Sequence, residues 1–305
     1  MKIENALFKF SLAIFIMVLV VGISLNYNKI DSEKFEFENK IIRQPKFSGT
    51  WYPGTKVSLN SKLEKYFSEV NKKNIDNIKA LIVPHAGYRF SGQVAAQGFN
   101  QLEDKYEKIF IIGSNHNPKA PYFKFSIANF SHYKTPLGEV KVSPVIKDLY
   151  KKDVFSYVPE AHTKHIIEIE LPFLQKKLSE FEIIPIVTGN VNQQEIEKAV
   201  KILSEYIDEK SLIIISSDLS HYHTYDEAKS IDQECIKNIE EQNYQKTQNC
   251  EACGLPGILM LLKLSQQNSW KSKIIDYKNS GDISGDKSRV VGYSSIVFYK
   301  EDITL

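Results

Sequence analysis

Short runs of apolar and β-branched residues recur along the chain with helical periods between them, and this alternation limits the possible fold more than any other feature. Lys79-Ala-Leu-Ile-Val83, Lys108-Ile-Phe-Ile-Ile-Gly113, Glu182-Ile-Ile-Pro-Ile-Val187 and Leu212-Ile-Ile-Ile-Ser216 are such runs. Segments 92–102, 166–178 and 194–207 carry apolar residues at helical spacing. A strand that is apolar at successive positions needs cover on both faces. The pattern therefore predicts a single α/β domain with a mostly parallel or mixed central sheet flanked by helices. Segments 273–277 and 289–299 read as further strands. Pro185 cannot donate to a ladder, so its strand is expected at an edge or with a bulge.

Composition excludes several classes. A charged fraction of 25% beside 42% hydrophobic residues is the balance of a globular protein, not of a disordered or coiled-coil chain. The net charge of +2 gives no electrostatic case for nucleic acid as a partner. Three cysteines cannot build a disulfide framework. No Walker-type loop, G-x-S-x-G elbow or dinucleotide G-x-G-x-x-G is present.

The N-terminus differs from the rest. Lys2 and Lys9 precede an uncharged apolar stretch over 10–25. Residues 1–27 are expected to form a hydrophobic helix, a single-pass transmembrane anchor with the domain outside by the positive-inside rule. The alternative is a signal segment, giving a secreted protein after cleavage. Residues 28–45 read as a polar linker and 46–300 as the domain.

In open α/β sheets, functional groups gather just past the carboxyl ends of the strands. The run 79–83 leads into Pro84-His85, the run 108–113 into Ser-Asn-His116, and the run 212–216 into Ser217-Asp218-Leu-Ser-His221. Three strands thus deliver imidazoles to one edge, and neutral imidazole is the commonest metal ligand. His162 and His165 open the helix expected from Ile166, and only His132 stands apart. Asp218 reads either as a carboxylate partner of His221 or as a turn cap. In Cys250-Glu-Ala-Cys253-Gly254, Cys253 lies at a helix entry, where a dipole-stabilised thiolate could bind a soft metal or act as a nucleophile. A Cys250–Cys253 disulfide is the further possibility in an exported domain. Cys235, inside an amphipathic helix, reads as a small buried residue.

Ser48-Gly-Thr-Trp-Tyr-Pro53, Val83-Pro-His-Ala-Gly-Tyr88, Thr135-Pro-Leu-Gly-Glu-Val140, His165-x-x-Glu168-x-x-Leu171-Pro172, Ser216-Ser-Asp-Leu-Ser-His221, Ala252-Cys-Gly254 and 279–293 occur in that order. Together they resemble the Memo family, whose bacterial members are called AmmeMemoRadiSam system protein B. The likeness covers about residues 46–300. It implies a fold like that of the LigB-type class III extradiol dioxygenases, and an iron or copper ion held by two histidines and a cysteine. Those ligands fall on His85, His116 and Cys253. The family's Asp and His beside the metal fall on Asp218 and His221, which gives them the catalytic roles. His165 and Glu168 match the helix motif, where orienting a ligand is the implied role. The second-histidine motif reads Gly-Ser-Asn-His-Asn here, without the paired histidine of some members. By family association, a radical SAM protein and an AMMECR-type domain are implied partners.

Three functions compete at this level. The first is a redox-active metal protein. The second is a non-haem iron extradiol-type dioxygenase with His221 as acid and base, against which the cysteine ligand argues. The third is a non-enzymatic module that binds a peptide or protein in the cleft.

Overall fold

Four parallel strands stand side by side at the centre of a mixed sheet: β8 (Glu182–Thr188), β3 (Lys108–Ser114), β9 (Ser211–Ser216) and β2 (Ile78–Val83). This is a computed structural model, and it describes residues 40–117, 121–122 and 124–301. Residues from Ile41 onward form one compact unit. Next to β2, β12 (Val290–Tyr299) runs antiparallel and carries β11 (Lys271–Asn279) and β10 (His221–His223). On the other flank, β6 (Gly138–Val142) lies parallel to the start of β8, followed by β5 (His132–Thr135) and β1 (Ile42–Arg43). The short β4 (Phe125–Ile127) runs antiparallel to the end of β8 and also pairs with β7 (Phe155–Ser156).

Every residue of β2 and β9 is buried, which is why these runs are apolar except at Lys79 and at the terminal serines Ser211 and Ser216. Period-two alternation sends neighbouring residues to opposite faces. Ile112 and Ile215 face the helix Leu255–Gln267, where Gly257 lets its backbone come close. On the other face, Val83 meets the helix Tyr88–Phe99 at Gly98, and Gly113 meets Ile166. The expected sheet sandwiched by helices is what forms.

Pro185 explains a break in the sheet. Its strand is flanked by β3 along its whole length, with Pro185 opposite Ile111. On its other side, β6 pairs only with Glu182 and Ile183, and β4 only with Ile186, Val187 and Thr188. The proline falls in the gap, so the strand is interior but has a local edge where an N–H would lack a partner.

Two expectations need correction. The helix anticipated from Ile166 begins at Leu171 and ends at Lys177, preceded by a 3-10 turn over Pro159–Thr163. Pro172 suits a first turn, where its missing N–H leaves no gap, and would break a helix begun at Ile166. The domain also starts earlier than the linker reading places it, because β1 pairs with β5 and Arg43 is buried. The apolar segment 10–25 lies outside the described residues. Among the described residues, no helix is long and apolar enough to cross a membrane.

Arg43 drives into the molecule to meet Glu168, Nη1 to Oε2 at 2.6 Å, with both side chains almost fully buried. Glu168 also accepts from the amides of Lys46 and Phe47 and from the Tyr52 hydroxyl. Arg43 donates further to the carbonyls of His162 and Lys164. This knot ties segment 43–52 to the turns that carry His165. Removing one partner strands a buried charge, so Glu168→Ala is expected to cost about 3–5 kcal/mol. Urea unfolding of the variant measures it, and a midpoint equal to wild type would show that the knot is not needed for stability.

Candidate metal centre

His85, His116 and Cys253 come together at the carboxyl ends of the central strands. Each offers one ligand atom, and the three atoms lie within 4.8 Å of one another. Strand register explains the meeting. Ser216 at the end of β9 is level with Val83 of β2 and with Gly113 of β3. The turns leaving β2 and β3 therefore raise His85 and His116 on either side of it, with ring centroids 5.0 Å apart.

The third donor arrives from the helix Leu255–Gln267, whose first turn contains Pro256. Gly254 lets this entry press against the end of β9, since a Cβ there would come within 2.5 Å of the Ser217 Cβ. Ser217 Oγ accepts from the Gly254 amide at 2.8 Å. Cys253 Sγ then sits 3.3 Å from His85 Nε2 and 3.1 Å from the Asp218 amide, which donates to it.

Hydrogen bonds assign the ring nitrogens. His116 Nδ1 lies 2.7 Å from the Ser114 carbonyl, which only accepts, so the proton is on Nδ1 and Nε2 is bare. His85 Nδ1 lies 2.9 Å from Ser216 Oγ, leaving Nε2 toward Cys253. Ligating imidazoles are held in this way, by a bond from the nitrogen away from the metal.

Burial keeps the site neutral. It holds His85 well below the usual imidazole range, aided by the neighbouring His165, His116 and His221. His116 is lowered chiefly by burial, and burial also pushes His165 down to about 3. Neutral rings are the form that binds metal. The Cys253 thiol is pushed up to about 12 by burial and then by Asp218. The dipole stabilisation of a thiolate expected at a helix entry is thus outweighed by desolvation. A cation placed between the donors reverses that balance, because a coordinating thiol gives up its proton.

Asp218 stays outside the donor cluster. Its Oδ1 accepts from the His85 amide at 2.8 Å, and burial pushes the carboxyl up to about 7. It therefore pins the loop that presents His85, closer to the turn-cap reading than to a ligand. His221, on β10, is half-buried and held below its ordinary range, again mainly by burial. His165 does reach the site: its ring lies 5.1 Å from His85 and 5.3 Å from His116, backed by Trp51 at 4.1 Å. Glu168 touches none of the three donors and acts on His165 only through the knot described above. His162 is a core residue bonded to Ser126, and His132 lies away on β5. A cleft of about 430 Å³ opens beside Cys253, lined among others by Ser114, Asn115, Tyr122 and Thr188.

Sequence reasoning missed Ser114 and Ser216, the groups behind the two histidines. For Ser216 the signal was a polar side chain closing an apolar strand, whereas Ser114 acts through its backbone carbonyl, which no residue type announces. It also missed the disulfide. Cys235 in the helix Tyr225–Glu240 is bonded to Cys250, with Cα atoms 5.3 Å apart, and Cys253 is the free cysteine. Cys235 is buried, as expected, but as one half of a disulfide, and the Cys250–Cys253 pairing is overturned.

A strand-end cluster of two histidines and a cysteine in a helix-covered parallel sheet defines an α/β protein with a candidate soft-metal centre. The comparisons agree with the resemblance in the sequence. The family described as Memo-like protein matches residues 43–297, and the chain belongs to that family. It is 33% identical to a MEMO1 family protein of Aquifex aeolicus over 268 residues, 84% of this chain and 99% of the relative. A MEMO1 family protein of Methanosarcina mazei is 32% identical over 270 residues, covering 84% and 98%. One from Methanobrevibacter smithii is 32% identical over 283 residues, covering 85% and all of the relative.

Alkylation without reductant, followed by peptide mass spectrometry, is expected to label Cys253 alone and to recover Cys235 and Cys250 as one linked peptide. A peptide joining Cys250 to Cys253 would refute this pairing.

Proposed function

We propose that this chain is a redox-active metal protein that holds one iron or copper ion at His85, His116 and Cys253. The observation that carries the reading is the donor set itself, three ligand atoms within 4.8 Å, supplied by two neutral imidazoles and a thiol. A thiolate among the ligands favours copper(I) or iron over magnesium or calcium. When bound, the ion supplies electron transfer or Lewis acidity at the head of the cleft. The chain's own groups do the rest. Ser114 and Ser216 orient the imidazoles, the Asp218 amide donates to the sulfur, and His221, near enough to influence His85 and His116, would take or give a proton.

The extradiol-dioxygenase reading is less well supported. It asks for a carboxylate beside two histidines, and the Asp218 carboxylate is occupied by the His85 amide while a cysteine completes the set.

Tethering outside the membrane through segment 1–27 is part of the proposal. Its support is the Cys235–Cys250 disulfide, a bond that persists in oxidising compartments. With Cys250 already paired, Cys253 lacks its nearest partner for oxidation, and coordination would shield it further.

Protein purified without chelator is expected to carry close to one equivalent of iron or copper by elemental analysis. His85→Ala should remove most of it, since loss of a ligand costs more than the ~10–100-fold of a supporting residue. Equal metal in wild type and in the His85→Ala, His116→Ala double variant would end this reading, and ring cleavage of a catechol by the iron-loaded protein would favour the dioxygenase.

Cell fractionation checks the tether. The full chain is expected to sediment with membranes and to resist a high-salt wash, because the attachment is hydrophobic. Recovery in the soluble cytosolic fraction would exclude it.

A further inference from the structure

Behind His85 lies a second buried group that the sequence did not single out. Glu170 is fully buried, on the turn just ahead of the helix Leu171–Lys177. Its Oε1 is 2.8 Å from Ser216 Oγ, and its Oε2 has no hydrogen-bond partner. No ion pair involving Glu170 occurs among the described residues. An ionised carboxylate so placed would lose its hydration with one hydroxyl in return, a cost of several kcal/mol.

The proton count at Ser216 points the same way. Ser216 Oγ has three polar neighbours: the Ile166 carbonyl at 2.7 Å, Glu170 Oε1 at 2.8 Å and His85 Nδ1 at 2.9 Å. A hydroxyl has one proton to give and two lone pairs to fill. The Ile166 carbonyl can only accept, so it takes the hydroxyl proton. Both other neighbours must then donate, which puts one proton on Glu170 Oε1 and one on His85 Nδ1. This arrangement fills the one donor and both acceptor positions of the Ser216 hydroxyl. The other end of the imidazole agrees, because bare Nε2 can accept from the Cys253 thiol 3.3 Å away.

We infer that Glu170 is a neutral carboxylic acid that acts through Ser216 as a positioning residue, fixing His85 with its proton on Nδ1 and its Nε2 lone pair toward Cys253 and His116. Burial, the largest influence on the Glu170 carboxyl, raises it well above the ordinary carboxylate range and so supports the assignment. The role toward a metal rests on the function proposed above. The protonation and tautomer stand on this chain's own hydrogen bonds. Glu170 contributes no charge to the centre, and a neutral amide of the same shape can take its place.

Three measurements test the relay on the full chain. Difference infrared spectroscopy of wild type against Glu170→Gln is expected to show a carboxylic-acid carbonyl band that the variant lacks. Loss of carboxylate bands instead would overturn the neutral assignment. Long-range proton–nitrogen NMR of metal-free protein is expected to find His85 protonated on Nδ1 in wild type and in Glu170→Gln, and in mixed tautomers in Ser216→Ala. A proton on Nε2 in wild type would overturn the relay. Cobalt(II), whose thiolate complexes are coloured, reads the consequence for binding. Glu170→Leu, which removes the donor to Ser216, and Ser216→Ala should each bind it ~10–100-fold more weakly than wild type. Wild-type affinity in a folded Ser216→Ala would remove the positioning role. The infrared and NMR measurements need no metal and use the folded wild type, so they decide the relay even if cobalt does not bind. That failure would count against the metal reading alone.

Discussion

Val83 and Gly113 stand level with Ser216 on either side of it, in three adjacent parallel strands. This register limits where every functional group can be. Parallel strands deliver their carboxyl ends to one edge, and the two turns that leave β2 and β3 carry His85 and His116 to the same height. Ser216 lies between them and bonds to one of the rings from behind. A shift of one residue in β9 would turn Ser216 to the opposite face and replace it with an isoleucine or a second serine.

The third donor depends on a different contact. Cys253 is brought in by the approach of Gly254 to Ser217, which any side chain would obstruct. The Cys235–Cys250 bond fastens the segment just before it to the helix Tyr225–Glu240. The loop that supplies the sulfur is thus held at both ends, by a covalent link on one side and a close-packed glycine on the other. Rigid support of this kind fixes the geometry of a small donor set.

Buried polar groups are concentrated around this edge, and most are matched, the second carboxyl oxygen of Glu170 being an exception. Arg43 and Glu168 satisfy one another and six further groups, which ties segment 43–52 to the His165 turn. Trp51 backs His165, and His165 backs the rings of both His85 and His116. Desolvation is the leading influence on each of the three imidazoles and on the thiol. A neutral, well-supported donor set containing a thiol suits a cation that can displace the thiol proton better than a loosely held hydrated ion.

Much of this was legible in the residues. The all-apolar runs dictated covered parallel strands, because a strand without a polar face has no side for water. The position of His85 and His116 just past such runs marked them as edge groups, and Pro185 marked a local break in pairing. The helix expected from Ile166 was misplaced because an apolar period cannot reveal that Glu168 and Glu170 are buried for polar contacts of their own. Tertiary structure alone decided which groups meet. That Cys253 faces His85, that Cys235 bonds to Cys250, and that Ser216 bridges His85 and Glu170 are contacts between residues far apart in the chain. Local propensity and spacing carry no information about them, since they follow from the order and register in which the strands assemble.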